Sequence, residues 1–355
     1  MIIPIYKPWI TELEKKYSKE AIESEWISSQ GAYIRRFEEA FACFIGCKHA
    51  IAVNNGTSAC HLALLSCGIK EGDEVIIPAC TFIATANAVK YCGAKPVLAD
   101  IDRETWNVSL ENIKKARTRK TKAVFLVHLL GNPCDKEIYE WCEKEGIICI
   151  EDACESIGAS YGKTRTGNMG LVSAFSFFGN KNLTTGEGGM VTTNNDVVAE
   201  KCRLLKGQGQ GDKRYFHTDV GYNYRMTNVQ AAIGLAQVER IQEILSEKRR
   251  IFQHYSRELA NIAIMQKIKE GTEHACWMFG IVSKYRTEIE EELRKEGVDT
   301  RPMFYPINDM PPYFSEEIFP CSRTLSKYGL MLPSFPELKE EEINKICSII
   351  KHVAG

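Results

Sequence analysis

The sequence predicts an α/β protein with a three-layer, doubly wound and mostly parallel sheet, followed by a smaller C-terminal α/β domain. Three observations lead to this prediction. Short apolar runs alternate with helical patterns between residues 50 and 191, and the connections between them are short. Such alternation is typical of parallel strands with helices covering both faces of one sheet. The alternation ends at a long helical stretch, and we therefore predict a division into residues 1–245, with an N-terminal arm, and 246–355.

The predicted elements follow one another in a regular order. An amphipathic helix begins near Tyr33, after a polar break at 28–31. Strands are predicted at 50–53, 74–77, 96–100, 123–127 and 147–150, and helices at 59–68, 81–91 and 136–144. Asn228 is predicted to cap one long helix that leads out of the large domain. The remainder has a strand at 277–282, a helix at 288–295 and a terminal helix from Glu340.

Composition limits the classes of function. Charged residues make up 26% of the chain and the formal net charge is −1, which argues against a nucleic-acid-binding face. We see no secretory signal and no apolar run long enough to cross a bilayer, so we expect a cytoplasmic protein without a membrane partner. The 14 cysteines form no CxxC pair, and most lie in apolar runs. We therefore expect buried thiols in a reducing compartment, and no metal site.

The polar turn that carries Lys181 stands out between two apolar runs, 172–178 and the run beginning at Met190. A lysine at a strand end in an apolar setting has its charged form disfavoured by desolvation, which leaves a nucleophilic amine that can form a Schiff base. Taken alone, Lys181 is more often simply a surface lysine in a loop. Other groups in the chain favour the chemical role.

A strand that ends at Val53 leads through Gly56, Thr57 and Ser58 into a helix. This arrangement places free backbone N–H groups, the positive end of the helix dipole and two hydroxyl groups at one point, which suits a phosphate group. Ordinary helix capping is the simpler interpretation of the turn by itself.

Asp152 closes a predicted strand, where a carboxylate must be paired or used. It either caps the next turn or holds a protonated ring nitrogen, which would keep a pyridinium strongly electron-withdrawing. Phe82 either belongs to the core or stacks on an aromatic ligand. Parallel α/β sheets bind ligands at the carboxyl ends of their strands. We therefore expect Asp152, Phe82 and the Gly56 turn to lie close to Thr81, His128 and Glu151.

In this order, the Gly-Thr-Ser turn, the strand-end aromatic residue and aspartate, and the lysine in an aromatic turn resemble the fold type I pyridoxal-phosphate enzymes. More narrowly, the chain resembles the DegT/DnrJ/EryC1/StrS sugar aminotransferases. The segments that carry the resemblance span the chain nearly end to end and include WISSQGAYIRRFEEAFA, NNGTSACHLAL, IEDACESIGA, FSFFGNKNLTTGEGGM, GYNYRMTNVQAAIGLAQ, TRPMFYP and LPSFP.

The resemblance implies pyridoxal 5'-phosphate as cofactor, with Lys181 as its Schiff-base lysine and later the proton-transfer base. It implies that Asp152 binds the pyridine nitrogen and that Phe82 covers the ring face. Glu155 is expected near the ring hydroxyl, at a position where many relatives carry Gln. The phosphate contacts that it implies are Gly56, Thr57, Ser58 and Ser176.

The resemblance also implies a homodimer with shared active sites, because Asn223 matches an asparagine that reaches the cofactor phosphate of the neighbouring subunit. Arg225, Arg301 and Tyr305 match positions near the substrate, where arginine suits a diphosphate. Asn308 is a departure from the family, since relatives commonly carry His there, and it is included among the substrate contacts.

The reaction implied is transfer of an amino group from L-glutamate, leaving 2-oxoglutarate, to C4 of a nucleotide-linked 4-keto-6-deoxyhexose for glycan or surface-polysaccharide synthesis. We expect ping-pong kinetics. A GDP-linked sugar is expected and a UDP-linked one stays open, because a few pocket contacts decide between them. Relatives that act as nucleotide-sugar 3-dehydratases carry His in place of the lysine, so Lys181 favours the aminotransferase. We see no helix-turn-helix segment, which argues against a non-catalytic regulator.

Overall fold

Short strands and longer helices alternate through the computed structural model, which describes residues 2–355. The strands are β1 (His49–Val53), β2 (Glu74–Pro78), β3 (Lys95–Ala99), β4 (Thr121–Val127), β5 (Ile148–Asp152), β6 (Ser160–Tyr161), β7 (Thr164–Arg165), β8 (Val172–Ser176), β9 (Gly189–Thr193), β10 (Ile264–Met265), β11 (Thr272–Glu273), β12 (Phe279–Val282), β13 (Arg301–Pro302) and β14 (Gly329–Leu332). The α-helices are α1 (Glu12–Glu23), α2 (Ala32–Ile45), α3 (Gly56–Ser66), α4 (Ala84–Tyr91), α5 (Leu110–Ala116), α6 (Lys136–Glu145), α7 (Asp196–Lys206), α8 (Asn228–Glu239), α9 (Ile241–Leu259), α10 (Arg286–Lys295), α11 (Pro320–Tyr328) and α12 (Glu340–Ala354).

The central sheet has seven strands in the order β1-β9-β8-β5-β4-β2-β3. Neighbours are parallel from β8 through β3, and β9 is antiparallel to both β8 and β1. The alternating side chains of β1 face two different cores, with Ile51 and Val53 on one side of the sheet and Ala50 and Ala52 on the other. Buried strands with apolar side chains on both faces are what a sheet between two helical layers requires. The predicted three-layer, mostly parallel fold is confirmed.

Helices cover the sheet on both faces. The residues of α3 from Gly56 through Leu64 are buried, apart from Thr57, as expected for a helix that packs between the sheet and further helices. On the other face, Phe37 and Phe41 of α2 pack against Phe175 and Phe177. A methyl group at Gly234 of α8 would lie 2.6 Å from the Phe37 ring, so glycine there lets the two helices approach closely.

A second sheet, in the order β10-β12-β14-β13, forms the C-terminal part and is covered by α9, α10 and α12. The start of the chain packs on this part, because Ile3 pairs with Val298 and joins the same core. The predicted division at 245/246 falls within α9. That boundary stays a prediction.

One predicted helix is wrong in its start and its continuity. Thr227, rather than Asn228, caps α8, and its side chain forms a capping box with Gln230. The Asn228 side chain instead accepts from the backbone N–H of Tyr33 and donates to the carbonyl of Trp26. The expected single helix is also interrupted at Arg240, where α8 ends and α9 begins.

Among the described residues, no helix is both long enough and apolar enough to cross a membrane.

Candidate active site

The candidate site is built at the carboxyl ends of neighbouring strands of the central sheet. Asp152 ends β5, Ser176 ends β8, and these two strands pair in parallel with Asp152 opposite Ala174. The turn that carries Lys181 follows β8 directly, and the Gly56 turn follows β1. The crossover connections of the sheet therefore bring residues from distant parts of the chain to one edge, where α/β sheets bind ligands.

Asp152 is buried, with 6% of its surface exposed, and its carboxylate is held on both oxygens. The Thr85 hydroxyl donates to Oδ2 over 2.7 Å, and the backbone N–H of Cys154 donates to Oδ1 over 3.2 Å. The sulfur atoms of Cys60 and Cys154 and an Asp152 oxygen lie within 4.8 Å of one another. The carboxylate is thus oriented by donors that leave it able to accept a further hydrogen bond.

Lys181 lies in a tight turn whose backbone is tied to distant segments. Its N–H donates to the carbonyl of Phe178 over 2.9 Å, and its own carbonyl accepts from the Tyr6 hydroxyl over 2.8 Å. Its Nζ lies 3.9 Å from the centroid of the Trp277 ring. The half-buried lysine is therefore positioned by contacts with the N-terminal segment and with the C-terminal part of the chain.

Glu155 is buried beside these groups, and its Oε2 accepts from the backbone N–H of Leu130 over 2.8 Å. Burial raises the pKa of Glu155 to about 7. The charge of Lys181 and the Leu130 hydrogen bond lower this pKa, and the charge of Asp152 raises it. Desolvation dominates, so the site contains a carboxyl group that changes its protonation near neutral pH.

The turn at the start of α3 has the features of a phosphate site. The Asn55 side chain caps the helix by accepting from the Ser58 N–H over 2.8 Å. The preceding N–H groups of Gly56 and Thr57 have no intrahelical acceptor, as at the start of any helix. A Cβ at position 56 would lie 2.6 Å from the Cβ of Ser176, so glycine allows the turn to meet the end of β8.

Phe82 lies between β2 and α4 with 55% of its surface exposed, and its ring centroid is 6.1 Å from that of Phe304. It is therefore not a core residue, which leaves its face available to a ligand. Tyr305 is also exposed, at 64%. Its contact with substrate stays a prediction.

The remaining predicted residues differ in their exposure. Asn223 and Arg225 are exposed and contact each other, with the arginine Nε donating to the asparagine oxygen over 3.1 Å. Arg301 is exposed and pairs with Asp299 over 2.8 Å. Asn308 is fully buried and donates to the carbonyls of Ser315 and Glu317. The roles of these residues stay predictions.

His128 and Glu151 belong to a separate set of hydrogen bonds rather than to the group around Asp152. The His128 Nε2 lies 3.0 Å from a Glu151 oxygen, and both side chains are completely buried. The Glu151 carboxylate accepts from the backbone N–H groups of Gly167, Met169 and Gly170. Adjacent residues in a strand point to opposite faces, which separates Glu151 from Asp152.

Sequence reasoning did not identify four side chains that contact the site residues, namely Tyr6, Thr85, Trp277 and Cys60. Thr85 had a usable signal, because it follows Phe82 by three residues at the start of a helix and so occupies the same side. Trp277 and Tyr6 had none, since they reach Lys181 only through long-range packing.

These residues fit pyridoxal phosphate. Gly56 lies very close to Ser176, in a turn whose N–H groups have no intrahelical acceptor. Such a turn suits an anionic group. The buried hydroxyl of Thr81 and the amide oxygen of Asn180 also lack a protein partner within residues 2–355. Buried polar atoms normally have a hydrogen-bond partner, so these two atoms are available to hydrogen-bond a polar ligand at this edge of the sheet.

Comparisons with known proteins agree with this geometry. The family described as the DegT/DnrJ/EryC1/StrS aminotransferase family matches residues 8–351. The chain is 44% identical over 354 residues to GDP-perosamine synthase of Escherichia coli O157:H7, and the match covers 98% of this chain and 97% of that protein. It is 43% identical over 362 residues to GDP-perosamine synthase of Vibrio cholerae, with 99% of each chain covered.

A solved structure gives the same result. The crystal structure of S. venezuelae DesV in complex with a ketimine intermediate superposes with a TM-score of 0.92 at 29% identity, covering 96% of this chain and 94% of that one. Because the family match and the relatives extend over almost the whole length, this chain belongs to the DegT/DnrJ/EryC1/StrS aminotransferase family and is a pyridoxal phosphate-dependent enzyme.

Proposed function

We propose that this protein transfers the amino group of L-glutamate to C4 of a GDP-linked 4-keto-6-deoxyhexose, as a step in making an amino sugar for a surface polysaccharide. The observation that carries the proposal is the lysine at position 181, in the turn that follows β8, since β8 pairs with the strand that ends in the buried Asp152. The two relatives with the printed name GDP-perosamine synthase support the choice of sugar, at 43% and 44% identity.

Asp152 has the task of holding the protonated pyridine nitrogen. The chemistry that pyridoxal phosphate supplies when bound is withdrawal of electrons from the carbon that carries the amino group. The Asp152 carboxylate would hold the protonated ring nitrogen, and the hydroxyl of Thr85 orients that carboxylate by donating to it over 2.7 Å. Because Asp152 is buried, water does not compete for it.

Lys181 moves the proton. With the cofactor bound, its Nζ would take a proton from the α carbon of L-glutamate in the first half of the reaction and would deliver a proton to C4 of the sugar in the second. The two half-reactions use one site in turn, so L-glutamate must leave as 2-oxoglutarate before the sugar reacts. Ping-pong kinetics follow from this order.

Glu155 contributes a group that holds or releases a proton near neutral pH, as its pKa of about 7 indicates. We assign it to the hydroxyl side of the ring, with Phe82 over the ring face. Gly56, Thr57, Ser58 and Ser176 are assigned to the phosphate.

The substrate diphosphate is assigned to arginine side chains. Arg225 and Arg301 are both exposed, and a guanidinium group pairs with phosphate oxygens through two parallel hydrogen bonds. Tyr305 offers an exposed ring and hydroxyl on the same C-terminal segment. Asn308 supports that segment from inside, through its bonds to the carbonyls of Ser315 and Glu317.

The proposed enzyme is a homodimer in which Asn223 of each subunit completes the phosphate site of its partner. The stretch that carries it has large apolar side chains at its surface, with Val220 at 89% exposure and Tyr215 at 75%. Exposed apolar groups of this kind favour a protein interface. Light scattering coupled to gel filtration tests this, and a monomer at micromolar concentration under conditions of full activity would contradict it.

The test of the reaction is to incubate the pure protein with pyridoxal phosphate and L-glutamate, together with either the GDP-linked or the UDP-linked 4-keto-6-deoxyhexose. We expect an amino sugar with the GDP-linked substrate, detected by mass spectrometry, and one 2-oxoglutarate per amino sugar. Product with the UDP-linked sugar alone would change the nucleotide, and loss of a hydroxyl at C3 would indicate a dehydratase. No product with either sugar would overturn the proposal.

A further inference from the structure

We propose that Trp277 is a positioning residue for Lys181, and that its ring holds the ammonium form of the lysine amine whenever this amine is not bonded to the cofactor. The inference rests on the proposed role of Lys181. It adds to the site a residue that lies far from Lys181 in sequence. A second, buried lysine, Lys248, holds Trp277 in place.

Trp277 contacts the lysine turn in two independent ways. Its ring face lies against the amine, with Nζ 3.9 Å from the ring centroid. Its indole Nε1–H donates to the carbonyl of Asn180, the residue before the lysine, over 2.7 Å. One side chain therefore fixes both the backbone that carries Lys181 and the end of the lysine side chain.

Trp277 is itself held firmly. It is 4% exposed, and its carbonyl accepts from the Nζ of Lys248 over 2.7 Å. Lys248 is completely buried on α9 and also donates to the carbonyl of Ser334, next to the second sheet. A buried amine that joins two backbone carbonyls limits the movement of both, so the ring has little freedom to leave the lysine turn.

Two further contacts hold the turn that carries Lys181. The Tyr6 hydroxyl donates to the Lys181 carbonyl over 2.8 Å, and the Asn182 side chain donates to the carbonyl of Ala275 over 2.6 Å. Two residues around the lysine are therefore tied to the segment 275–277.

The physical reason for the proposal is the charge distribution of an aromatic ring. The face of indole is negative and attracts an ammonium group, whereas a neutral amine gains little from it. In an aminotransferase the lysine must be released from the cofactor in every cycle and then return. A ring that attracts the ammonium form keeps the released amine at the site, and loss of a proton from Nζ frees the amine to react.

The test measures this attraction without any catalysis. The full-length, cofactor-free protein is treated at neutral pH with a trace of an acylating reagent such as acetic anhydride, which reacts with neutral amines only. Mass spectrometry compares acylation of Lys181 with that of the exposed Lys70 in the same molecule. Trp277→Leu should raise the relative rate at Lys181 roughly threefold to thirtyfold, the effect of losing one buried cation–π contact.

Two further variants distinguish the ring from its hydrogen bond. Trp277→Phe keeps an aromatic face but loses the donor to Asn180, and it should leave acylation within about twofold of the wild-type rate. Trp141→Leu removes a ring that contacts Arg117 elsewhere in the molecule and is the matched control for loss of a tryptophan. It should leave the Lys181 rate unchanged.

Circular dichroism and thermal unfolding establish that each variant is folded. If Trp277→Leu does not fold, Trp277→Met replaces it, because the flexible methionine side chain fills irregular space without an aromatic face. A folded Leu or Met variant with the wild-type rate at Lys181 would overturn the proposal, and so would an equal rise in the Phe variant. Since neither cofactor nor sugar is present, failure of this inference leaves the proposed reaction untouched, and the absence of amino-sugar product would not alter the acylation result.

Discussion

At the scale of single residues, the site depends on three ionisable groups in different surroundings. Asp152 has donors on both oxygens, Glu155 is buried with one backbone donor, and the Lys181 amine lies on an aromatic face. Of the three, Glu155 is the group whose pKa burial raises, to about 7. Substitutions at these positions therefore have distinct expected outcomes.

Replacing the lysine removes the group that we propose bonds to the cofactor and moves the proton. Lys181→Ala should abolish amino-sugar formation and the yellow absorbance of the loaded enzyme. The thermal unfolding temperature should stay within a few degrees of that of the wild type, because Lys181 is only half-buried. Lys70→Ala, at an exposed lysine in the loop between α3 and β2, is the control. Persistence of the yellow band in Lys181→Ala would remove this lysine from its role.

Replacing the buried glutamate should change how stability depends on pH. The pKa of Glu155 is raised by burial from 4.5 to about 7, so between these values the folded protein binds a proton that the unfolded chain has lost. The free energy of unfolding therefore falls as the pH rises through this window, and the loss is complete above pH 7. Glu155→Gln should remove this fall, on the order of 3 kcal/mol, in chemical denaturation of the cofactor-free protein at pH 5 and 8.

The exposed Glu187 provides the matched control for that experiment. Glu187→Gln should leave the pH dependence of the wild type intact. An unchanged slope in Glu155→Gln would show that this carboxyl does not titrate between the folded and unfolded states as described.

At the scale of elements, helix starts and strand ends determine where the functional groups lie. The start of α3 meets the end of β8 so closely that position 56 has no room for a side chain. The start of α8 shows how local rules can fail: Asn228 is a good capping residue, but Thr227 before it caps the helix and Asn228 joins two segments near Tyr33. Capping preferences indicate where a helix begins, whereas tertiary packing decides which residue caps it.

Filling the contact between α3 and β8 should damage both stability and the phosphate turn. In Gly56→Ala the new Cβ would meet the Ser176 Cβ at 2.6 Å and its hydroxyl at 2.9 Å, which forces the strand and helix apart. We expect a loss of about 1–3 kcal/mol in the free energy of unfolding, together with weaker binding of pyridoxal phosphate in a spectroscopic titration.

Gly179→Ala is the control for stability, because nothing lies within 4 Å of the position that its Cβ would take. Its free energy of unfolding should change by less than about 0.5 kcal/mol. Equal stability of the two alanine variants would mean that the close approach at Gly56 is not needed.

At the scale of the whole molecule, a buried lysine joins the segment before the second sheet to the helix that leads out of the first. Burial lowers the pKa of Lys248 from 10.5 to about 7, with the buried Cys276 nearby acting in the opposite direction. Between these values the unfolded chain carries a proton that the folded protein lacks. The free energy of unfolding should therefore rise with pH from about 7 toward 10.5, by up to about 1.4 kcal/mol per pH unit.

Lys248→Met should flatten that rise, which chemical denaturation at pH 7 and 9 would measure. Met retains much of the length of the side chain but leaves the carbonyls of Trp277 and Ser334 without their donor. Lys70→Met is the exposed control and should keep the wild-type slope. A rise between pH 7 and 9 that persists in Lys248→Met would assign the titration to a group other than Lys248. The neighbouring His274 does not act in this range, because burial lowers its pKa from 6.5 to about 3 and it is neutral in both states above pH 7.

Periodicity was sufficient to predict the central sheet and the places of Asp152 and Gly56 at the ends of its strands. Asp152 ends β5 and Gly56 starts α3, close to where the apolar runs ended in the sequence. The local sequence pattern was a weaker guide to which of two adjacent side chains at a strand end faces the site. His128 and Glu151 also follow or end strands, but they form their own buried pair with the loop 167–170.

The sequence by itself determined the α/β class, the order of strands and helices along the chain and, through resemblance, the family, because these depend on local periodicity and on motifs that are contiguous in the chain. Only the tertiary structure decided what surrounds the functional groups. Tyr6 and Trp277 reach the Lys181 turn across 175 and 97 residues of chain. Thr85 reaches Asp152 across 67. Burial, hydrogen-bond partners and shifted pKa values arise from such distant contacts, which no local pattern encodes.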